Sequence, residues 1–236
     1  ELRMRGTRIE VVPDILMNLA DANNRLGKLD IGAAWYRRAL LMCDSLHMAS
    51  TKKPPIYYGL AQVYVTMRDF EQCDYYYNLA GESYDNMLPY EKYIYLNNRG
   101  TSYYYREDYQ TAIKYFQKVI DLVEGYDDMS FELNLGRLNL GDCYLQLNKV
   151  DLAVKYINEC QLFFEEMGVS TALYYIDTQK IELALLQKDF QEARRLLSES
   201  VVPPGIDPDM VHIRNKYLQQ FYEETGNYKR AYHYLQ

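Results

Sequence analysis

The chain has 236 residues, 48% of them hydrophobic and 25% charged, with a formal net charge of −7. That apolar share suits a soluble chain with an ample core, while a phosphate-tracking surface needs clustered Lys and Arg. The one small basic cluster is Arg3, Arg5 and Arg8, so no direct nucleic-acid binding is expected.

The longest charge-free stretch, Pro54 to Met67, falls short of the roughly 20 apolar residues a spanning helix needs, so no membrane segment is expected. No signal peptide is visible. The chain opens on Glu1 and stops at Gln236 inside a repeat, and reads as a fragment of a longer polypeptide. A cytoplasmic setting is favoured, and a periplasmic one stays open if a signal or membrane helix lies outside the fragment. Cys43, Cys73, Cys143 and Cys160 show no CxxC spacing and are expected as buried free thiols acting as small hydrophobes.

In chain order, apolar periodicity predicts helices near 13–26, 30–48, 55–67, 70–87, 91–106, 109–124, 129–147, 150–167, 171–187, 190–199, 208–225 and 228–236. Taken in pairs they make six units, about 13–50, 54–88, 91–126, 129–168, 171–200 and 208–236, in one array over 1–236. The apolar residue opening the second helix of each pair is Leu29, Phe70, Tyr109, Val150, Phe190 and Tyr228, at intervals of 38 to 41 residues. A turn signal precedes each: Gly27-Lys28, Arg68-Asp69, Glu107-Asp108, Asn148-Lys149, Lys188-Asp189 and Gly226-Asn227. Asp and Asn there can cap the second helix, and Gly can end the first. The segment Val201-Val202-Pro203-Pro204-Gly205 is the strongest break and predicts a longer loop.

A small residue follows each opening position: Gly32, Cys73, Ala112, Ala153, Ala193 and Ala231. A large apolar one follows that: Tyr36, Tyr77, Phe116, Ile157, Leu197 and Leu235. Spacings of three and then four lay one stripe along a helix. Leu19-Ala20, Leu60-Ala61, Gly100 and Leu140-Gly141 supply the matching small site on the first helices. Each unit is thus a helical hairpin, and the fold class is all-α.

This pattern resembles the tetratricopeptide repeat, with its Leu-Gly, Tyr, Ala, Phe and Ala positions. The fifth copy has Lys180-Ile181 in place of Leu-Gly, and the sixth has Leu218-Gln219. The period near 40 exceeds the basic 34 and resembles the longer units of kinesin light chains and of bacterial peptide-pheromone receptors. The resemblance implies an α-α superhelix, a solenoid of about six hairpins that binds other polypeptides. The Tyr-, Asn- and Asp-rich repeats are also similar to those of Bacteroidetes-type signalling and transcription regulators. That implies the sensory or docking region of such a protein, with an output domain beyond Gln236. A stand-alone adaptor without an output domain and an accessory domain of an enzyme are the rival readings. A homo-oligomer stays open.

The resemblance places a binding groove on the inner face of the first helices. Carried across, its residues are Met17, Asn18, Asp21, Tyr58, Gln62, Asn97, Asn98, Thr101 and Tyr105, then Leu138, Asn139, Asp142, Gln146, Thr178 and Glu182. Asn18, Asn98 and Asn139 hold the same place in their repeats. A ladder of amides, each both donor and acceptor, can grip an extended peptide's backbone; equally, Asn is simply common there. Chaperone-docking relatives clamp a terminal carboxylate with Lys, Asn and Arg, where this chain has Met17, Asp21, Gly59, Ile94 and Asn98, so no clamp is expected.

Catalytic patterns are missing. His47, His212 and His233 lack ligand spacing, no Gly-rich phosphate loop follows a strand, and no cofactor is expected. Tyrosine is the outlier, at 26 residues. Tyr64, Tyr77 and Tyr103 are expected in the core, and Tyr76, Tyr104 and Tyr105 partly exposed, either at an interface or packed at helix boundaries.

Overall fold

The computed structural model describes residues 9–48, 52–199, 201–206 and 208–234. Among them it holds twelve α-helices and no strand. The hairpins are α1 (Val12–Arg25) with α2 (Leu29–Ser45), α3 (Pro54–Thr66) with α4 (Phe70–Gly81), α5 (Pro89–Tyr104) with α6 (Tyr109–Val123), α7 (Ser130–Gln146) with α8 (Val150–Met167), α9 (Ser170–Leu186) with α10 (Phe190–Glu199), and α11 (Pro208–Glu224) with α12 (Tyr228–His233). Short 3-10 turns stand at Ile9–Val11, Tyr84–Asn86 and Asp127–Met129. Tertiary contacts group the chain into two compact units, Glu1–Lys118 and Val119–Gln236.

Every hairpin turns by the same device. The first helix closes with paired backbone bonds: in α1, Gly27 N–H to Asn24 C=O at 2.9 Å and Lys28 N–H to Asn23 C=O at 2.9 Å. This is the Schellman arrangement, which puts one residue in the left-handed region. That residue is Gly27, Arg68, Glu107, Asn148, Lys188 or Gly226, with φ between 52° and 77°. The next residue leads into the second helix. Asp69, Asp108, Asp189 and Asn227 cap it by accepting the backbone N–H three residues on, at 3.0 to 3.3 Å. Lys28 and Lys149 cannot accept, and no side-chain cap forms there.

Two expected helices end early. α2 stops at Ser45, where His47 takes φ 50° and Met48 N–H reaches back to Cys43 C=O. α4 stops at Gly81 rather than 87: Ser83 Oγ bonds Ala80 C=O, and a 3-10 turn brings Met87 into the interior. The 201–206 segment is loop, with Gly205 at φ 80°. Residues 235–236 lie outside the described ones, as does the expected role of Leu235.

The small-residue stripe is buried throughout. Cys73, Ala112, Ala153 and Ala193 are fully enclosed, and a Cβ on Gly100 would stand 2.7 Å from the Phe116 ring. Tyr36, Tyr77, Phe116 and Ile157 fill the next gap as expected. In α10 the neighbour Leu196 is buried instead and Leu197 is half-buried, because Leu197 faces a cavity bounded by α10, α11 and α12. Leu19 is also exposed, at 41%, whereas Leu60 and Leu140 are enclosed; among the described helices none precedes α1 to cover it. All four cysteines are buried and unpaired. Burial pushes the Cys160 thiol up to about 12.

Much of the tyrosine excess has a repeated use. Tyr64–Tyr76, Tyr103–Tyr115, Tyr144–Tyr156 and Tyr222–Tyr234 stack across their hairpins, with centroids 5.4 to 5.9 Å apart and planes within 16° of parallel. Each pair joins equivalent places on the first and second helix beside the turn. A cation covers a ring in each: Arg37, Arg106, Lys149 and Arg230. Such contacts add to the area that the rings bury. Tyr103 is therefore half-buried rather than in the core, and Ser102 is enclosed in its place.

Candidate functional site

In the first unit, α1, α3 and α5 lie side by side in chain order, so their open faces form one layer. Asn18, Asp21, Gln62 and Tyr105 are exposed, and Tyr58, Asn97, Asn98 and Thr101 are half-buried. Asp21 accepts the Tyr36 hydroxyl. The Tyr58 hydroxyl donates to Met87 Sδ at 3.5 Å, and Thr101 Oγ1 donates to Asn97 C=O at 3.0 Å. Helical spacing sets Asn98 and Thr101 along one side of α5, in line with Tyr105 at its C-cap. A cavity of about 240 Å³ opens beside Tyr58.

In the second unit, Asn139, Asp142 and Gln146 are half-buried on one side of α7. α9 lies between α7 and α11, and buried residues surround both α7 and α9. Gln146 Nε2 donates to Glu182 Oε1 at 2.9 Å, and the Tyr217 hydroxyl bonds the same carboxyl. Burial raises the Glu182 carboxyl above its ordinary value, against the lowering effect of those two bonds. Gln179 Nε2 crosses from α9 to Leu138 C=O at 2.9 Å. Leu138 and Thr178 are buried, so neither lines an open surface.

Residue reasoning missed one polar cluster. Asp74 receives Arg106 bidentately, at 2.7 and 2.8 Å, and pairs with Arg99 Nη1 at 2.8 Å. Arg99 is 5% exposed; its guanidinium lies 5.1 Å from the Tyr77 ring centre, and that of Arg106 4.9 Å from Phe70. The available signal was an arginine directly before Gly100, inside a stripe that must be buried. The cluster ties α4 to α5.

Among the described residues, no group of three or more His, Cys, Asp or Glu could hold a metal ion. No helix among them is long and apolar enough to cross a membrane.

Helical hairpins with a small-residue seam and a repeated turn define an all-α helical repeat protein. Residues 93–126 and 136–162 each match the tetratricopeptide repeat as a sequence family, so the chain carries tetratricopeptide repeats. Over 163 residues, 67% of the chain, it is 26% identical to the anaphase-promoting complex subunit CDC16 of Saccharomyces cerevisiae, covering 18% of that protein. It superposes on aspartyl phosphate phosphatase F from Bacillus subtilis with a TM-score of 0.75 at 16% identity, over 98% of this chain and 59% of that one. The signal transduction ATPase with numerous domains from Pyrococcus horikoshii, which carries a tetratricopeptide repeat sensor, matches with a TM-score of 0.69 at 16% identity, over 95% and 32%. The chain thus spans less than two thirds of each of these relatives. The structural likeness shows the fold: all-α, of the tetratricopeptide-like α-α superhelix class.

Proposed function

We propose that the chain is a peptide- or protein-docking region of a bacterial signalling or transcription-regulatory protein, with its ligand received on the open faces of the first helices. In the first unit those faces carry Asn18, Asp21, Tyr58, Gln62, Asn97, Asn98, Thr101 and Tyr105; in the second, Asn139, Asp142 and Gln146. One observation carries the reading: Asn98 and Thr101 run in register along α5 to Tyr105 at its C-cap, beside the α3 helix of Tyr58 and Gln62. Half-exposed amides and hydroxyls at helical spacing match the alternating donors and acceptors of an extended backbone. Tyrosine adds apolar area at low conformational cost.

A sensory role draws support from the Pyrococcus protein, whose repeats of the same fold are described as a sensor. The adaptor reading has the likeness to a complex subunit in its favour. Either way, signalling requires a ligand with different affinity for two shapes of the protein.

The test is affinity capture with the wild-type chain and with Gln62→Ala/Asn98→Ala and Asn139→Ala variants, each verified by circular dichroism. Loss of specific partners from the variants is the expected result. Unchanged recovery from both variants would place docking elsewhere on the molecule.

A further inference from the structure

We propose that the cavity at the head of α3 and α5 is an anchor pocket for one large apolar side chain, of leucine or methionine size, from a peptide bearing a lysine or arginine next to it. The existence of a peptide ligand rests on the docking reading above; the pocket's chemistry rests on its own walls.

The cavity measures about 240 Å³. Sites for drug-sized ligands and cofactors run from about 300 Å³ upward, so this one suits a single side chain. Pro54 and Pro55, which open α3, form one wall with Tyr58. Prolines have no N–H to satisfy, so the wall asks for no polar partner. Met87 and Ile94 add apolar lining, and Ser83 and Asn86 are its neutral polar members. Met87 is a flexible thioether that adapts to the shape of its contact, and it already receives the Tyr58 hydroxyl.

The charge at the site comes from Glu91. Its Oε2 accepts Leu88 N–H at 2.8 Å, which fixes the carboxylate in place. No cation neutralises it among the described residues. Lys53 pairs with Asp44 at 2.5 Å, and Lys92 lies over the Tyr84 ring at 5.3 Å. An apolar hole beside a fixed carboxylate that has no cationic partner among the described residues selects an apolar side chain with a cation next to it. Anchors of this kind carry most of the affinity in peptide docking.

The experiment uses the full chain labelled at Met and Ile methyls, titrated with acetyl-Gly-Lys-Leu-Lys-Gly-amide. Saturable shifts of the Met87 and Ile94 methyls are expected, with about tenfold or weaker binding when Ala replaces the peptide's Leu. Exchanging both Lys for Glu should abolish the shifts. Glu91→Gln keeps an acceptor for Leu88 N–H, so it should weaken the Lys peptide severalfold while preserving the preference for Leu over Ala. Ile94→Trp, which fills the hole, should remove binding; if that variant misfolds, the Leu-to-Ala peptide comparison decides by itself.

Methyl shifts that survive Asn98→Ala would uphold the pocket and count against the α5 amide face. Binding lost with Asn98→Ala, yet equal for the Leu and Ala peptides and silent at Met87 and Ile94, would uphold that face and overturn the pocket. Silence at both methyls with every peptide also overturns the pocket. So does an Ile94→Trp variant that loses self-association instead of peptide binding, because the occupant would then be a second copy of the chain.

Discussion

The Tyr36 ring occupies the space that a side chain at residue 59 would need. The ring is 3% exposed, and its hydroxyl is spent on Asp21, so it has nowhere to swing. One phenol thereby joins α1, α2 and α3. Gly59→Ala should lower stability by about 1–2 kcal/mol, because overpacking of about 1–3 kcal/mol exceeds the 0.5–1 that Ala gains over Gly inside a helix. Urea unfolding measures it. A loss below about 0.5 kcal/mol would mean that the ring yields.

The hairpin turns invite the opposite substitution. Lys188 is exposed and holds φ 56°, a conformation that costs an L-residue about 1–2 kcal/mol and glycine almost nothing. Lys188→Gly should stabilise the chain by about 0.5–1 kcal/mol once glycine's greater chain entropy is subtracted. Gly27→Ala, at φ 72°, should lose a similar amount. Thermal melts of both variants test the pair, and a destabilised Lys188→Gly protein would refute the strain argument.

Asp74→Asn should destabilise the first unit by on the order of 2–3 kcal/mol, since it leaves two guanidiniums without their carboxylate. Burial favours the neutral Asp74 carboxyl, but the bonds from Arg106 and the charge of Arg99 outweigh it, and the net effect holds the group below its ordinary value. A carboxylate so lowered adds stability above its unfolded value near 4 and loses it as pH falls through the folded one. The gap between wild type and variant should therefore close on acidification below about pH 4. A gap independent of pH would contradict this account.

Glu182 has the reverse sign. Its folded carboxyl is raised by burial, so stability falls as pH climbs from the unfolded value through the folded one. Gln at this position can still accept from Gln146 and Tyr217. Glu182→Gln should thus be the more stable protein at neutral pH and match wild type near pH 4. Equal stability at both pH values would show that the carboxyl ionises in the fold at no cost.

An acidic peptide ending in a free carboxylate should not bind in calorimetry. Of the clamp positions, Asp21 is negative and hydrogen-bonded to Tyr36, and Gly59 lies under the Tyr36 ring. Micromolar binding of such a peptide would reverse this expectation.

The hairpins are legible in the chain because their determinants repeat. Ala112, Ala153 and Ala193 announce a seam, and Asp69, Asp108 and Asp189 announce caps. Arg68, Glu107 and Lys188 give no such notice of their left-handed backbone, because the Schellman bonds impose it on whatever residue stands there. The stacked tyrosines are hidden for another reason: a pair such as Tyr144 and Tyr156 is related across a turn, not along one helix, so stripe periodicity does not reveal it. Site residues are harder still. Gln146 and Glu182 both sit at groove positions by alignment, yet they bond each other, and only the placement of α7 against α9 shows it. The cavity beside Tyr58 depends on α4 stopping at Gly81, which apolar periodicity runs past.

Trp35 stands on α2 at the place that Tyr76, Tyr115, Tyr156 and Tyr234 hold on their own helices, with Arg38 above its ring. It is the single indole of the chain, and it belongs to the Glu1–Lys118 unit. Its fluorescence therefore reports the melting of that unit, whereas phenol emission sums over both. Comparing the two signals during denaturation would reveal whether the halves come apart together or in sequence, with no label attached.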